Sequence, residues 1–186
     1  MRTIISLLVL ALVSCNGQNR PSNENANKAK ESLTSELAAQ DYFLGIFSEN
    51  MSISAPVGHA FIGIGKGTPM TCDINGNTTE VWGFYPKVRI MGGKSIWFGP
   101  VDSEIKSDVM TKIDRQAFIK IDFADYIKVQ LKIEEWKKKQ YELTRNDCIS
   151  FLIDICNTLP NRLIVPKRET TDTPDSYVRK LINLNK

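Results

Sequence analysis

From Tyr42 onward the chain alternates short apolar runs with longer amphipathic stretches. Tyr42 to Phe47 (YFLGIF) is a continuous apolar run of strand length and predicts a buried strand. Gly58 to Gly65 (GHAFIGIG) alternates with period two: His59, Phe61 and Gly63 point one way, and Ala60, Ile62 and Ile64 the other. Thr78 to Tyr85 (TTEVWGFY) repeats that pattern, with Glu80, Trp82 and Phe84 on one face. The turn-rich segment Lys66 to Asn77 between them predicts a hairpin-like antiparallel pair. Pro86 to Gly99 is glycine-rich and irregular, and Ala117 to Phe123 (AFIKIDF) predicts a further strand. The period then lengthens. Ala124 to Lys139 carries Tyr126/Ile127, Leu131, Ile133 and Trp136 near helical spacing, with lysines at its end where they suit the helix dipole. After a short extended piece, Tyr141 to Leu143, the segment Ile149 to Leu159 shows Ile149, Leu152, Ile153 and Cys156 as the stripe of a core helix that Pro160 ends. Pro174 to Leu184 predicts a last helix with proline in its first turn. No internal repeat is present. Strands followed by helices predict an α+β domain over 41–186: a small antiparallel sheet packed against helices, one of them bearing Cys148.

The first forty residues follow different rules. Arg2 precedes an apolar stretch from Thr3 to Val13, far short of the ~20 residues of a membrane-spanning helix. Small residues then lead into Cys15. Residues 1–14 have the form of a secretory signal peptide. Leu12-Val13-Ser14-Cys15 also resembles the lipobox of bacterial lipoproteins. That resemblance implies cleavage before Cys15, lipidation of Cys15, and stable attachment by more than one acyl chain. The competing reading is a plain signal peptide with a chance cysteine. Asn16 to Lys30 is rich in Asn and has no aliphatic residue larger than Ala, so 15–40 reads as a flexible lipidated tether. A short helix is predicted within it, over Glu31 to Asp41, from Leu33 and Leu37 at i, i+4.

Composition narrows the chemistry. The 186 residues carry 24 basic and 21 acidic side chains, a net charge of +3 that falls to +2 when Arg2 leaves with the signal peptide. That balance offers no argument for nucleic acid. The chain has a single histidine, so a two-His zinc site within one chain is excluded and any imidazole chemistry belongs to His59. No metal or cofactor is implied.

Of the four cysteines, Cys148 is placed for reactivity. Asn146 or Asp147 is a good N-cap, which puts Cys148 in the first turn of a helix, where free N–H groups and the dipole favour a thiolate. An imidazole within reach would complete the activation. His59, flanked by Gly58 and Ala60, is the candidate, and Glu80 on the next strand is the candidate to orient it, with Thr79 and Asp73 as competitors. Each residue also has a plain structural reading: Cys148 as a core thiol, His59 as a satisfied strand histidine, Glu80 as a surface residue. Cys156 lies eight residues beyond Cys148, about 12 Å along a helix, too far to pair with it. Cys156 reads as core, and a pairing with Cys72 is left open.

Gly58-His59-Ala60-Phe61-Ile62, Glu80 on the following strand, and Tyr141 ahead of Asn146-Asp147-Cys148-Ile149-Ser150-Phe151 together resemble the papain-like amidohydrolases of the NlpC type, in their circularly permuted branch with His first and Cys last. The lecithin:retinol acyltransferase-like enzymes share this order. The resemblance covers roughly Tyr42 to Leu159. It implies a permuted papain-like domain in which Cys148 attacks a carbonyl, His59 acts as base and then acid, Glu80 holds the imidazole, the Cys148 N–H binds the oxyanion, and Tyr141 adds a hydroxyl donor. Trp82, with Phe84 and Tyr85, is a candidate for lining a substrate groove, against core packing for at least two of the three.

The combined expectation is a monomeric, lipid-anchored enzyme of the bacterial cell envelope, facing the periplasm from the inner or outer membrane. It would hydrolyse an amide bond, with peptidoglycan stem peptides as the leading substrate. The alternatives are a thiol hydrolase or acyltransferase of lipid or other acyl substrates, and a catalytically silent binding lipoprotein of the same fold.

Overall fold

The computed structural model describes residues 27–28, 30–32, 35–36, 40–51, 57–67, 79–87, 99–107 and 112–186. Residues 1–14, Cys15, Cys72 and Asp73, each part of a sequence expectation, lie outside the described residues. The chain divides into two units, Met1–Ala39 and Gln40–Lys186. In the first, the described residues from Asn27 to Glu36 are helical, and the Ser35 hydroxyl donates to the Ser32 carbonyl.

The second unit is α+β. Strands β1 (Tyr42–Glu49), β2 (His59–Lys66), β3 (Thr79–Pro86), β4 (Ser103–Ser107) and β5 (Arg115–Ile121) form one antiparallel sheet in the order β4-β3-β2-β1-β5. Helices α1 (Phe123–Trp136), α2 (Cys148–Asn157) and α3 (Pro174–Leu184) follow. The predicted antiparallel pairing of the two central strands is present, with Ile62 opposite Trp82 and Ile64 opposite Glu80. β4 is the strand that hydrophobic patterning does not reveal. SEIKS lies at the sheet edge, where polar side chains satisfy one solvated side and only Ile105 packs on the core.

Alternation along the strands sorts the two faces. Tyr42, Leu44, Ile46, Ala60, Ile62, Ile64 and Phe84 face the helices and form the main core with Trp136, Phe151, Leu152, Ile155, Tyr177 and Leu181. Phe47, Phe61 and Val81 form a second cluster, with Phe118 packed beside them. α2 packs on β2 and β3, and α3 on β1, β2 and β5.

Two helical stripes are rotated from the sequence reading. In α1 the buried residues are Asp125, Val129, Ile133 and Trp136, whereas Leu131 is 44% exposed. Leu131 is two residues from both Val129 and Ile133, and at 3.6 residues per turn that places it on the opposite side. In α2 the buried set also includes Phe151 and Ile155, and Ile153 is only half-buried.

Caps fix the helix starts. Asp122 accepts from the Asp125 N–H at 2.8 Å, and Thr173 with Ser176 forms a capping box ahead of Pro174. Arg162 ties the segment after α2 to the start of α1 through Asp125 and Asp122.

Candidate active site

Cys148 is the first residue of α2, and Asp147 is its N-cap. The cap is more than a single bond. One Asp147 oxygen accepts from the Ser150 N–H at 3.0 Å and the Ser150 hydroxyl at 3.1 Å, and the other accepts from the Thr144 N–H at 2.9 Å. Arg168 then grips both oxygens, Nη1 at 2.8 Å and Nη2 at 2.6 Å, and donates to the Ser150 hydroxyl as well. Burial would raise the Asp147 carboxyl, but the Arg168 contacts and the backbone N–H groups outweigh it and hold the group below the usual aspartate range.

The turn before the cap is strained. Thr144 has φ of 69°, an uncommon value for a β-branched residue. Paired Glu142–Asn146 backbone bonds close the turn around it, and Asp147 holds its N–H.

Tyr141 precedes this turn. It is bridged to Val101 by two 2.8 Å backbone bonds and is 4% exposed. Its ring stacks on Phe84 with centroids 5.5 Å apart. Burial, with the Cys148 thiol and the Asp147 carboxylate nearby, pushes its phenol up, so Tyr141 remains a protonated hydroxyl. Cys148 is itself buried at 4% exposure, in the cluster that holds Ala60, Phe84 and Tyr141.

His59 is the first residue of β2 and is also buried. Its ring stacks on Tyr85 of β3 at 4.2 Å and on Phe61 at 5.7 Å, and Lys106 Nζ lies 4.2 Å from the centroid of Tyr85. The residue that follows it, Ala60, packs in the same core cluster as Cys148. The imidazole therefore lies, with Phe61 and Tyr85, on the sheet face away from the helices, while Ala60 and Cys148 share the helix-bearing side. Gly58 makes the entry into β2: its φ is +70°, and a Cβ there would meet the Glu49 carbonyl oxygen at 2.9 Å. Glycine is required twice over, by conformation and by space.

Glu80 does not orient His59, which corrects the sequence expectation. Its cross-strand partner is Ile64, five residues along β2 from His59, or roughly 17 Å at the strand rise. It also stands on the helix-bearing face, where it accepts from Gln130 Nε2 of α1 at 3.2 Å and from Trp82 Nε1 at 3.3 Å. Period-two patterning gave relative faces within each strand, and only the register showed that Glu80 and His59 occupy opposite ends. Thr79 lies one step farther along, opposite Gly65. The carboxylate directly across from His59 is that of Glu49 on β1. Sequence reasoning missed it because Glu49 lies beyond the apolar run that marked the strand.

Trp82 packs against the main core toward α1, with Lys137 Nζ 5.7 Å from its ring centroid, two residues removed from the row of Phe84 and Tyr141. Cys156 is a free thiol in the core, and burial pushes it up to about 12. A cleft of about 300 Å³ opens beside the start of β2, lined by Glu49, Met51, Gly58, Thr173 and Asp175, among others. Among the described residues no group of three or more His, Cys, Asp or Glu side chains is placed to hold a metal ion, and no helix is long and apolar enough to cross a membrane.

Comparison with protein-family models, curated proteins and solved structures finds no match to this chain.

Proposed function

We propose that the chain is a thiol hydrolase of the permuted papain-like type, anchored to the bacterial cell envelope through Cys15 and cleaving an amide bond in peptidoglycan stem peptides. The observation that carries this reading is the position of Cys148 at the first turn of α2, a helix packed on the strand that begins with the chain's one imidazole. The N–H groups that open a helix have no partner within it, and their field favours both a thiolate and a developing oxyanion.

In the proposed cycle the His59 ring turns at the start of β2 from Tyr85 toward α2 and takes the Cys148 proton as the sulfur attacks the carbonyl. The same imidazole then gives that proton to the departing amine, leaving an acyl-thioester. Water, deprotonated by His59, releases the acid and restores the thiol. The Cys148 N–H and the protonated Tyr141 hydroxyl are the candidate donors to the oxyanion. Glu49, across the strand from His59, replaces Glu80 as the candidate carboxylate neighbour.

Digestion of purified sacculi tests the reading: the full-length protein is expected to release stem-peptide fragments, and Cys148→Ala to abolish release. Acyl release from lipid substrates without peptide release would reassign the substrate to the acyl class. A second reading follows from the 4% exposure of Cys148, which favours a silent binding lipoprotein with a structural thiol. Resistance of Cys148 to iodoacetamide in the folded protein at neutral pH would select it. Loss of membrane fractionation in Cys15→Ala tests the anchor.

A further inference from the structure

The segment between α2 and α3 is laced down at several points. Leu163 is buried, Asn185 bonds both backbone groups of Ile164, and the Tyr177 hydroxyl donates to the Pro166 carbonyl at 2.8 Å. Two residues later Arg168 reaches the cap of α2. Asp147 and Arg168 are largely withdrawn from water, with side chains 5% and 18% exposed. Asp147 is the immediate neighbour of Cys148, so a buried negative charge stands beside the proposed nucleophile. For a thiol that must ionise, such a charge is unfavourable unless it is cancelled. An ordinary N-cap serine or asparagine would carry no charge at all.

We propose that Arg168 is a positioning residue for Cys148: it cancels the Asp147 charge beside the sulfur while its two-point grip keeps the carboxylate, the strained Thr144 turn and the first turn of α2 in place. The inference rests on Cys148 being the nucleophile of the proposed hydrolase. Among the described residues, Tyr141 of the segment before α2 is the other titratable group that acts on Cys148, and the His59 ring of β2 rests on Tyr85, on the opposite face of the sheet. The Lys139–Asp154 pair belongs to the far side of α2, and Tyr177 of α3 is engaged with Pro166.

The test is the pH profile of iodoacetamide alkylation of the full-length protein, read at the Cys148 peptide by mass spectrometry. Arg168→Gln leaves the Asp147 charge uncancelled. At an effective dielectric of about 20, an uncompensated neighbouring unit charge moves the midpoint up by about one pH unit, about a tenfold slower reaction below the midpoint. Arg168→Lys keeps the charge and is expected to restore the wild-type midpoint while losing the bidentate grip. Asp147→Asn moves the midpoint down, and Asp147→Asn with Arg168→Gln returns it toward wild type. The double variant buries neither charge, so it keeps the test intact if Arg168→Gln alone fails to fold.

A profile unmoved by Arg168→Gln, or moved equally by Arg168→Gln and Arg168→Lys, overturns the proposal. If the midpoints move as stated but wild-type protein releases nothing from sacculi, the clamp stands and the hydrolase reading falls. If Cys148→Ala abolishes release while Arg168→Gln leaves both profile and turnover unchanged, the clamp falls and the hydrolase reading stands. A Cys148 unreactive at every pH overturns both.

Discussion

Gly58→Ala is the substitution whose cost can be worked most directly from the backbone. Gly58 sits at φ +70°, where an L-residue with a side chain loses about 1–2 kcal/mol. The added methyl would also lie 2.9 Å from the Glu49 carbonyl oxygen and 3.4 Å from the Met51 nitrogen. Both obstacles are backbone, so the end of β1 or the start of β2 must move, at about 1–3 kcal/mol. Reduced freedom of the unfolded chain returns about 0.4–1 kcal/mol. The expected net loss is about 2–3 kcal/mol. Urea unfolding followed by circular dichroism measures it as a lower midpoint at unchanged slope. Because Gly58 leads directly into His59, the proposed hydrolysis should fall in the folded variant as well. A Gly58→Ala protein within about 0.5 kcal/mol of wild type would refute the close approach of the Glu49 carbonyl.

Other consequences are equally specific. Phe84 is fully buried among Trp136, Tyr141 and Phe151, so Phe84→Ala should cost about 3–5 kcal/mol in urea unfolding. The carboxyls of Asp147 and Asp175 lie below the ordinary aspartate value. Their stabilisation is therefore complete above about pH 4 and is lost as pH falls through the lower folded values. Urea midpoints measured from about pH 5 to 2 should decline less steeply in Asp147→Asn and Asp175→Asn than in wild type. Cys156, buried and held up to about 12, should escape iodoacetamide at pH 8 in the folded protein and react fully in urea, as peptide mapping would show. Glu80→Gln should leave the Cys148 alkylation rate within about twofold of wild type, since Glu80 serves Gln130 and Trp82 at the other end of β3.

Much of the fold was legible from side-chain periodicity. Alternation marked β2 and β3 and their faces, the apolar run marked β1, and Asp147 announced the start of α2, because each of these signals is local and needs only the strand or helix period. The same locality explains the failures. Leu131 fits a loose helical spacing but points to solvent, since the direction of the core is set by β1 and α2 and not by α1 itself. β4 carries almost no apolar signal because it is an edge.

What the sequence by itself determined is the cast: one imidazole, a cysteine behind a capping Asn-Asp pair, and a glycine ahead of the histidine. What only the tertiary structure decided is who stands beside whom. Strand register carried Glu80 to the far end of the sheet and set Glu49 and Tyr85 beside His59. The return of the chain after α2 brought Arg168 back across twenty-one residues to Asp147. Neither placement has a local signature. Register is a property of two strands, and a salt bridge across a loop depends on where packing of α3 against the sheet leaves that loop.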